Sequence, residues 1–291
     1  PFFFEFLACP FIDSFSPSCS DRQRLWFNCN CLFIDFMWLG TRCNCGLGNF
    51  EQPRAMGTMT NKTIKVEDWG SLSYEKALQM QEDYFSKIIS RKKGNRKIEP
   101  FLPTDNYLFF VEHPPVFTIG KSGKMEHLLL GEKELADKGI SFFKTNRGGD
   151  ITFHGPGQIV VYPILDLDNF FNDIHKYLRC LEEVIIKTLA DFSIDGVRND
   201  EETGVWLDLD TPFARKICAM GVRASRWVTM HGFALNVNTD LSYFDYIIPC
   251  GIEGKGVTSL AQELKKRVSE QEVKDKLLIN FTEVFKAEII N

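Results

Sequence analysis

Hydrophobic side chains recur at helical spacing in three stretches of the chain, residues 77–89, 174–192 and 273–285. Such stripes let one face of a helix pack on a sheet. Ser73 is an N-cap for the first stretch, and Asp168 or Asn169 is expected to begin the second. Ser269 and Glu272 form a capping-box pattern before the third. The pattern therefore predicts three long helices.

Short apolar runs bounded by glycine, proline and polar residues predict the strands. They lie at residues 63–69, 107–111, 116–120, 142–144, 159–165, 204–207, 216–222 and 232–237. Shorter helices are predicted near 128–138 and after Thr258 or Ser259, and the basic stretch 91–103 is predicted to be a surface loop. The strands cluster in the middle without regular βαβ alternation. The expected fold class is α+β, with a mixed β-sheet core and flanking helices.

The composition changes sharply near residues 56–59. The preceding part has no lysine but contains six of the nine cysteines. Its two Cys-x-Cys pairs, which begin at Cys29 and Cys43, have one intervening residue, whereas zinc ligands are usually two to four residues apart. This spacing makes a zinc site a weaker interpretation, and a disulfide-rich prodomain is also weaker because no signal-peptide pattern precedes it. We expect residues 1–58 to be a poorly structured or non-native N-terminal extension, and residues 59–291 to form the folded domain.

The chain of 291 residues carries 34 Lys and Arg against 39 Asp and Glu, a net charge of −5. A nucleic-acid-binding protein would have a basic footprint, so no nucleic-acid partner is expected. The sequence has no apolar run of 18 residues, which predicts no transmembrane helix and no membrane partner. The part after Met59 shows no disulfide pattern, which favours a cytoplasmic location.

Residues 147–158 contain four glycines, a proline, an arginine and a histidine. Glycine permits backbone angles that other residues avoid and lets a ligand approach the main chain closely. The short β-forming run between the glycine pairs predicts a strand-turn-strand edge, with Arg147 and His154 at its ends. A ligand cradle and an ordinary hairpin both fit this pattern.

Cys250 is the candidate nucleophile, because Pro249 and Gly251 place it in a loop after an apolar run. Cys180 and Cys218 lie in patterns that predict burial. A cysteine thiol has a pKa of about 8.5 and is mostly protonated at neutral pH. The candidate nucleophile therefore needs a neighbour that takes its proton.

Three side chains are candidates for that neighbour. His154 and His231 are available, and Lys216 begins an otherwise apolar β-type segment that would carry its amine to the edge of a pocket. Lysine acts as a base near neutral pH only if its pKa falls from about 10.4 to about 7. Otherwise it pairs with the thiolate as a cation. The sequence alone leaves open a solvated strand-end lysine and a structural loop thiol.

Five ordered motifs resemble the lipoyl(octanoyl) transferases of lipoate biosynthesis, the octanoyl-[acyl carrier protein]:protein N-octanoyltransferase family. They are RGGDITFHGPGQ at 147–158, KICAMGVR at 216–223, HGFALNV at 231–237, PCGI at 249–252 and GVTSL at 256–260. The segments EHPP at 112–115 and TIG at 118–120 also fit. The resemblance covers about residues 63–260. It implies a fold related to the biotin and lipoate ligases, which is described as synthetase-like.

The resemblance implies an acyltransferase that moves an octanoyl group from acyl carrier protein, through a cysteine thioester, to a lysine of a lipoyl domain. Cys250 matches the nucleophile, and Lys216 matches the lysine that activates it. The implied substrate-binding residues are Arg147, Gly148, Gly149, Asp150, Ile151, Thr152, Phe153, His154, Ala219, Met220, Gly221, Gly232, Phe233 and Ala234. The implied acceptors are lipoyl domains of 2-oxo-acid dehydrogenases and glycine-cleavage H protein. Neither a cofactor nor a metal is implied, and a monomer is expected.

Two positions depart from the family pattern. Family members often have Gln and Tyr where this chain has Asp150 and Phe153, so a hydroxyl is missing and a negative charge is added near the site. Two alternative functions stay open. An ATP-dependent lipoate or biotin protein ligase of the same fold would use the glycine-rich stretch for phosphate, but it leaves Cys250 without a role. A non-catalytic relative would only bind a lipoyl domain or the acidic carrier protein, with residues 91–97 as a basic contact surface.

Overall fold

The computed structural model describes residues 60–98, 100–248 and 256–290. All of them belong to one unit that runs from Met56 to Asn291. The expected N-terminal extension, residues 1–58, lies outside the described residues, and so does the candidate nucleophile Cys250. The division of the chain near residue 58 therefore stays a prediction.

The strands of the described ranges form two sheets. They are β1 Thr63–Ser71, β2 Tyr107–Glu112, β3 Val116–Ile119, β4 Ser141–Lys144, β5 Ile151–His154, β6 Gln158–Ile164, β7 Val197–Arg198, β8 Gly204–Leu207, β9 Arg215–Ser225, β10 Val228–Asn236, β11 Gly256–Val257 and β12 Glu288–Ile290. The large sheet has the order β12-β1-β2-β6-β10-β9-β8-β7, with β11 beside β9. The small sheet has the order β4-β3-β5. Parallel and antiparallel neighbours occur in both sheets, so both are mixed.

The α-helices lie between and after the strands. They are α1 Tyr74–Asn95, α2 Glu132–Asp137, α3 Ile174–Ala190, α4 Leu260–Leu264 and α5 Glu270–Phe285. Each long helix follows a side-chain N-cap, which is Ser73 for α1, Asp173 for α3 and Ser269 for α5. Caps of this kind contribute about 1 kcal/mol each. Every helix in the described ranges is too short or too polar to cross a membrane.

The large sheet has a hydrophobic core on each face. On β6, Val161 belongs to the cluster that contains Leu181 of α3 and Phe281 of α5. Its neighbour Val160 belongs to a different cluster, which contains Phe85 of α1. Successive strand residues point to opposite faces, so α3 and α5 cover one face and α1 covers the other. This arrangement confirms the predicted α+β class, a mixed sheet with flanking helices.

The glycine-rich stretch forms the predicted strand-turn-strand, with the turn at residues 155–157 between β5 and β6, but the alternative of an ordinary hairpin is wrong. β5 pairs with β3 in the small sheet, whereas β6 pairs with β2 and β10 in the large sheet. The turn at residues 155–157 therefore connects two sheets. Local composition predicts that both segments are strands, but long-range packing decides their partners.

Two element boundaries also differ from the predictions. The long middle helix begins at Ile174, because residues 167–169 form a separate 3-10 turn. The basic stretch 91–103 is only partly a loop, since α1 continues to Asn95. Lys92 on this last turn pairs with Asp166 and lies 2.7 Å from Asp168 Oδ2. These ion pairs attach the end of α1 to the 3-10 turn.

Candidate active site

The glycine-rich stretch lies between the two sheets and contacts both. Gly148 N donates to Val222 O of β9 at 2.9 Å, and Lys121 N donates to Arg147 O at 3.0 Å. A Cβ added to Gly221 would lie 2.6 Å from Gly148 O, closer than real Cβ contacts allow. The lack of a side chain at Gly221 therefore lets the loop pack directly on β9.

A cavity of about 560 Å³ lies beside this loop. The sequence-predicted residues on its walls are Arg147, Gly148, Gly149, Asp150, Ile151, Thr152, His154, Lys216, Ala219, Met220, Gly221, Gly232, Phe233 and Ala234. Apolar wall also comes from Val160 and Val257. The fold thus brings three separate sequence motifs around one space. Their roles in substrate binding stay predictions.

Phe153 and Asp150, the two departures from the family pattern, have partners of their own. Phe153 lies in an aromatic cluster behind the cavity wall, where its ring stacks on Tyr243 at 4.5 Å and meets Phe244 edge-on at 5.7 Å. Asp150 Oδ2 accepts a hydrogen bond of 2.5 Å from His127 Nδ1–H. The negative charge of Asp150 is therefore placed against an imidazole, and Phe153 supports the wall from outside.

One extra residue in β9 turns Lys216 toward the cavity. Cys218 and Lys216 pair with consecutive residues of β8, which leaves Ile217 as the extra residue of a β-bulge. Regular alternation would put Lys216 on the same face as Cys218, which is fully buried in the core. The bulge puts Lys216 on the face of Trp206 instead, with Nζ 4.5 Å from the centroid of its ring.

The amine of Lys216 is held at one end of the cavity. Its Nζ lies 3.5 Å from Glu202 Oε2, and the two side chains are only 12% and 14% exposed. Gly204 of β8 pairs with Ala219 of β9. A Cβ added to Gly204 would lie 3.5 Å from the Cε atom of Lys216, so the end of the lysine stem lies beside this pair. The lysine stem therefore runs along β9 toward Ala219. The sequence gives no signal for Glu202, which lies in a polar segment outside every motif.

The two described cysteines are poorly suited to nucleophilic attack. Cys218 is fully buried, as predicted, and burial raises the pKa of its thiol far above the ordinary value. Cys180 is half-buried, packs against the core, and has a thiol pKa that is also raised by burial. A thiol with a raised pKa is rarely a thiolate at neutral pH.

Residues 249–255, which contain Cys250, lie outside the described residues, but both flanking segments contact the site. Before them, Ile248 N donates to His127 O at 2.8 Å. After them, Val257 pairs with Lys216 in the short parallel contact between β11 and β9. Val257 also lines the cavity. Gly256 and Val257, the first described residues after Cys250, therefore lie beside Arg215 and Lys216.

Two buried histidines, His154 and His231, line the cavity, and the ring of a third, His113, lies 5.8 Å from the ring of His154. Burial lowers the pKa of His113 to about 4 and those of His154 and His231 to about 3. His154 Nδ1–H donates to Gln158 Oε1 at 2.8 Å, and His113 Nε2 accepts from the Tyr162 hydroxyl at 2.8 Å. Neutral imidazoles therefore add polarity without charge. Within the described ranges, His, Cys, Asp and Glu side chains form no group of three suited to a metal ion.

Known proteins provide an independent test of the sequence motifs. The family model of the lipoyl protein ligase A/B catalytic domain matches residues 73–282. The chain belongs to this family. Curated octanoyltransferases of Flavobacterium johnsoniae and Flavobacterium psychrophilum are 63% and 61% identical over 231 residues, which is 79% of this chain and 100% of each relative. The predicted octanoyltransferase membership is thus confirmed, and octanoyltransferases are enzymes that transfer octanoyl groups.

A solved structure of this family type confirms the fold. A bipartite lipoate protein ligase from Thermoplasma acidophilum has a TM-score of 0.55 and 16% identity, covering 80% of this chain and 88% of its own. At this identity the similarity concerns the fold alone. The predicted relation to the lipoate ligase fold is therefore confirmed, while the chemistry has to be argued from the residues of this chain.

Proposed function

We propose that this octanoyltransferase moves an octanoyl group from acyl carrier protein to a lysine of a lipoyl domain, through a thioester on Cys250. One observation carries the proposal. Lys216, its neighbour Val257 and the three predicted binding motifs all adjoin one cavity with largely apolar walls, and Val257 is seven positions after Cys250. Burial of an acyl chain contributes about 0.8 kcal/mol per methylene, so such walls can bind eight carbons firmly.

The first step acylates the enzyme. The Cys250 thiolate attacks the acyl carbon of the donor thioester, a new C–S bond forms, and the C–S bond to phosphopantetheine breaks. The proton of Cys250 passes by way of Lys216 to the leaving pantetheine thiolate. A positioned proton carrier of this kind contributes roughly 10²- to 10⁴-fold to such a step. The acyl group of the donor is already activated as a thioester, so this reaction needs no nucleotide to activate it.

The second step delivers the octanoyl group. The neutral amine of the acceptor lysine attacks the enzyme thioester, the amide C–N bond forms, and the C–S bond to Cys250 breaks. The proton lost by the amine returns to the Cys250 thiolate through Lys216. The proposed acceptors are lipoyl domains of 2-oxo-acid dehydrogenases and glycine-cleavage H protein, whose target lysines must reach the same cavity.

The proposal is tested by mass spectrometry of the intact protein after incubation with octanoyl-acyl carrier protein and no ATP. We expect one added octanoyl group, released by neutral hydroxylamine and lost when a lipoyl domain is added. Cys250→Ala should abolish the adduct. Cys180→Ala is the matched control and should keep it, because Cys180 packs against the core and does not line the cavity. An adduct that survives in Cys250→Ala, or that forms only with ATP, contradicts the proposal.

A further inference from the structure

Glu182 of α3 is a buried carboxylate that the proposed reaction does not use. Its side chain is 1% exposed. Oε2 accepts a hydrogen bond of 2.9 Å from Arg179 Nη1–H and lies 3.5 Å from Arg198 Nε. Oε1 accepts a hydrogen bond of 3.0 Å from the backbone N–H of Gly204, the first residue of β8. A buried carboxylate is tolerated only with partners of this kind, and here one of them belongs to the backbone of a strand.

Three contacts of the Lys216 side chain come from one short stretch, residues 202–206. Its Nζ lies 3.5 Å from Glu202 Oε2 and 4.5 Å from the centroid of the Trp206 ring. A Cβ added to Gly204 would lie 3.5 Å from the Cε atom of the lysine. Gly204 is the middle residue of the stretch. The position of its backbone therefore helps to determine where the amine of Lys216 stands.

The hydrogen bond from Gly204 to Glu182 acts where the pairing of β8 with β9 is irregular. Gly204 pairs with Ala219 and Val205 pairs with Cys218, and the register shifts immediately afterwards. A bulge disrupts the ladder of hydrogen bonds locally, so the ladder alone holds this end of β8 less firmly than a regular strand. A Cβ on Gly204 would lie 2.6 Å from Cys218 O, which shows that Gly204 rests directly against β9. The carboxylate of Glu182 adds an anchor from α3 at this point.

We propose that Glu182 is a positioning residue for Lys216, because it holds Gly204 and with it the stretch 202–206 that contacts the lysine. This inference rests on the proposed octanoyl transfer, in which Lys216 carries the proton of Cys250. A proton carrier has to lie within hydrogen-bond reach of its partners, about 3 Å. A displacement of about 1 Å can slow such a step roughly 100-fold. Glu182 does not line the cavity, so its loss should slow acylation without weakening donor binding.

Glu182→Gln and Glu182→Met separate the anchor from the charge. Both remove the negative charge and keep a side chain of similar length, but only glutamine keeps an oxygen that accepts from Gly204 N–H. Single-turnover acylation of the full-length enzyme by octanoyl-acyl carrier protein is measured over a range of donor concentrations. We expect the limiting rate constant to fall about 10- to 100-fold in Glu182→Met and to recover most of this loss in Glu182→Gln. The half-saturating donor concentration should stay as in the wild type.

Two further variants complete the test. Glu183→Met is the matched control, because Glu183 follows Glu182 on α3 and pairs with Arg198, but its side chain is 37% exposed and the Gly204 hydrogen bond goes to its neighbour. Its limiting rate constant should equal that of the wild type. Glu182→Asp keeps the charge between the arginines and withdraws the carboxylate by one methylene. If Glu182→Met yields no folded enzyme, a rate constant of Glu182→Asp below that of Glu182→Gln supports the inference, and one equal to it or above it overturns the inference.

The rate constant reports only the folded molecules, since unfolded enzyme lowers the amplitude of adduct formation. A purely structural role of Glu182 would lower the amplitude and the midpoint of thermal unfolding at an unchanged limiting rate constant, and that result overturns the inference. Equal losses of rate in Glu182→Gln and Glu182→Met also overturn it, because the charge and not the bond to Gly204 would then matter. Wild type that forms no adduct contradicts the proposed function itself, so the two failures are distinguishable.

Discussion

Lys216 reaches the cavity because β9 contains one residue more than its neighbour requires. The bulge at Ile217 reverses the face on which the lysine stands, and its amine then lies over the Trp206 ring and near Glu202. An aromatic ring attracts a cation above its face, and the aliphatic stem, which lies beside Gly204, carries the charged head to the pocket. The chemistry proposed for Lys216 therefore depends on its amine, and the packing depends on its stem.

Lys216→Met separates these two contributions. Methionine keeps most of the aliphatic stem and removes the amine, so the fold should survive. We expect the rate of octanoyl adduct formation to fall by roughly 10²- to 10⁴-fold, because proton transfer to the leaving thiolate is lost. A single-turnover assay with rapid quenching measures this rate, and thermal unfolding checks the fold. Lys266→Met, at an exposed lysine, should leave the rate unchanged; equal rates in both variants would refute the role of Lys216.

At the scale of elements, the site exists because a loop from the small sheet lies flat on a strand of the large one. The hydrogen bond between Gly148 and Val222 joins the two sheets, and it is possible because Gly221 has no side chain that would collide with Gly148 O. Arg147 is buried at this junction, where its Nη2 donates to Thr118 O at 2.6 Å. The cavity wall is therefore rigid only while the loop keeps its contact with β9.

Gly221→Ala tests this contact. The new methyl would stand 2.6 Å from Gly148 O, so the loop has to move. We expect the free energy of unfolding to drop by about 1–3 kcal/mol and the acylation rate to fall, because the displaced loop carries residues predicted to bind the substrate. Urea denaturation and the single-turnover assay measure the two effects.

Gly94→Ala is the matched control for this prediction. No atom lies within 4 Å of its added Cβ, and the residue is helical. Alanine there should stabilise the protein by about 0.4–1 kcal/mol with the acylation rate unchanged. If Gly221→Ala behaved in the same way, the loop could not be resting on β9 as described.

At the scale of the whole molecule, three neutral histidines are buried in one region between the sheets and α1. Their folded pKa values of about 3 to 4 lie below the ordinary 6.5 because burial disfavours the charged form. Below pH 6.5 the unfolded chain binds protons that the folded chain does not. The free energy of unfolding should therefore fall as the pH drops from about 6.5 toward 4, by up to about 1.4 kcal/mol per pH unit for each histidine.

Urea denaturation at pH 7, 6 and 5 measures this slope. His113→Gln should reduce the slope by the equivalent of about one proton bound on unfolding, because glutamine does not titrate. His175→Gln replaces an exposed histidine and should leave the slope as it is. Carboxyl groups also titrate in this range, so the difference between variants is the decisive quantity. Equal slopes for both variants would show that His113 is not buried as a neutral side chain.

The sequence by itself determined the elements and most of the candidate site. Periodicity is a local property, so the stripe beginning at Ile174 and the apolar strands could be recognised without a structure. The ordered motifs were specific enough to name the family and the segments that surround the cavity. The nucleophilic role of Cys250 and the boundary near residue 58 are still predictions.

Only the tertiary structure decided which elements meet. β5 and β6 adjoin in sequence yet pair in different sheets, because an apolar strand satisfies its hydrogen bonds with any partner that packing supplies. The bulge at Ile217 and the approach of Glu202 to Lys216 have no local signature. Each depends on residues far apart in the chain, which come into contact only when the sheets and helices pack together.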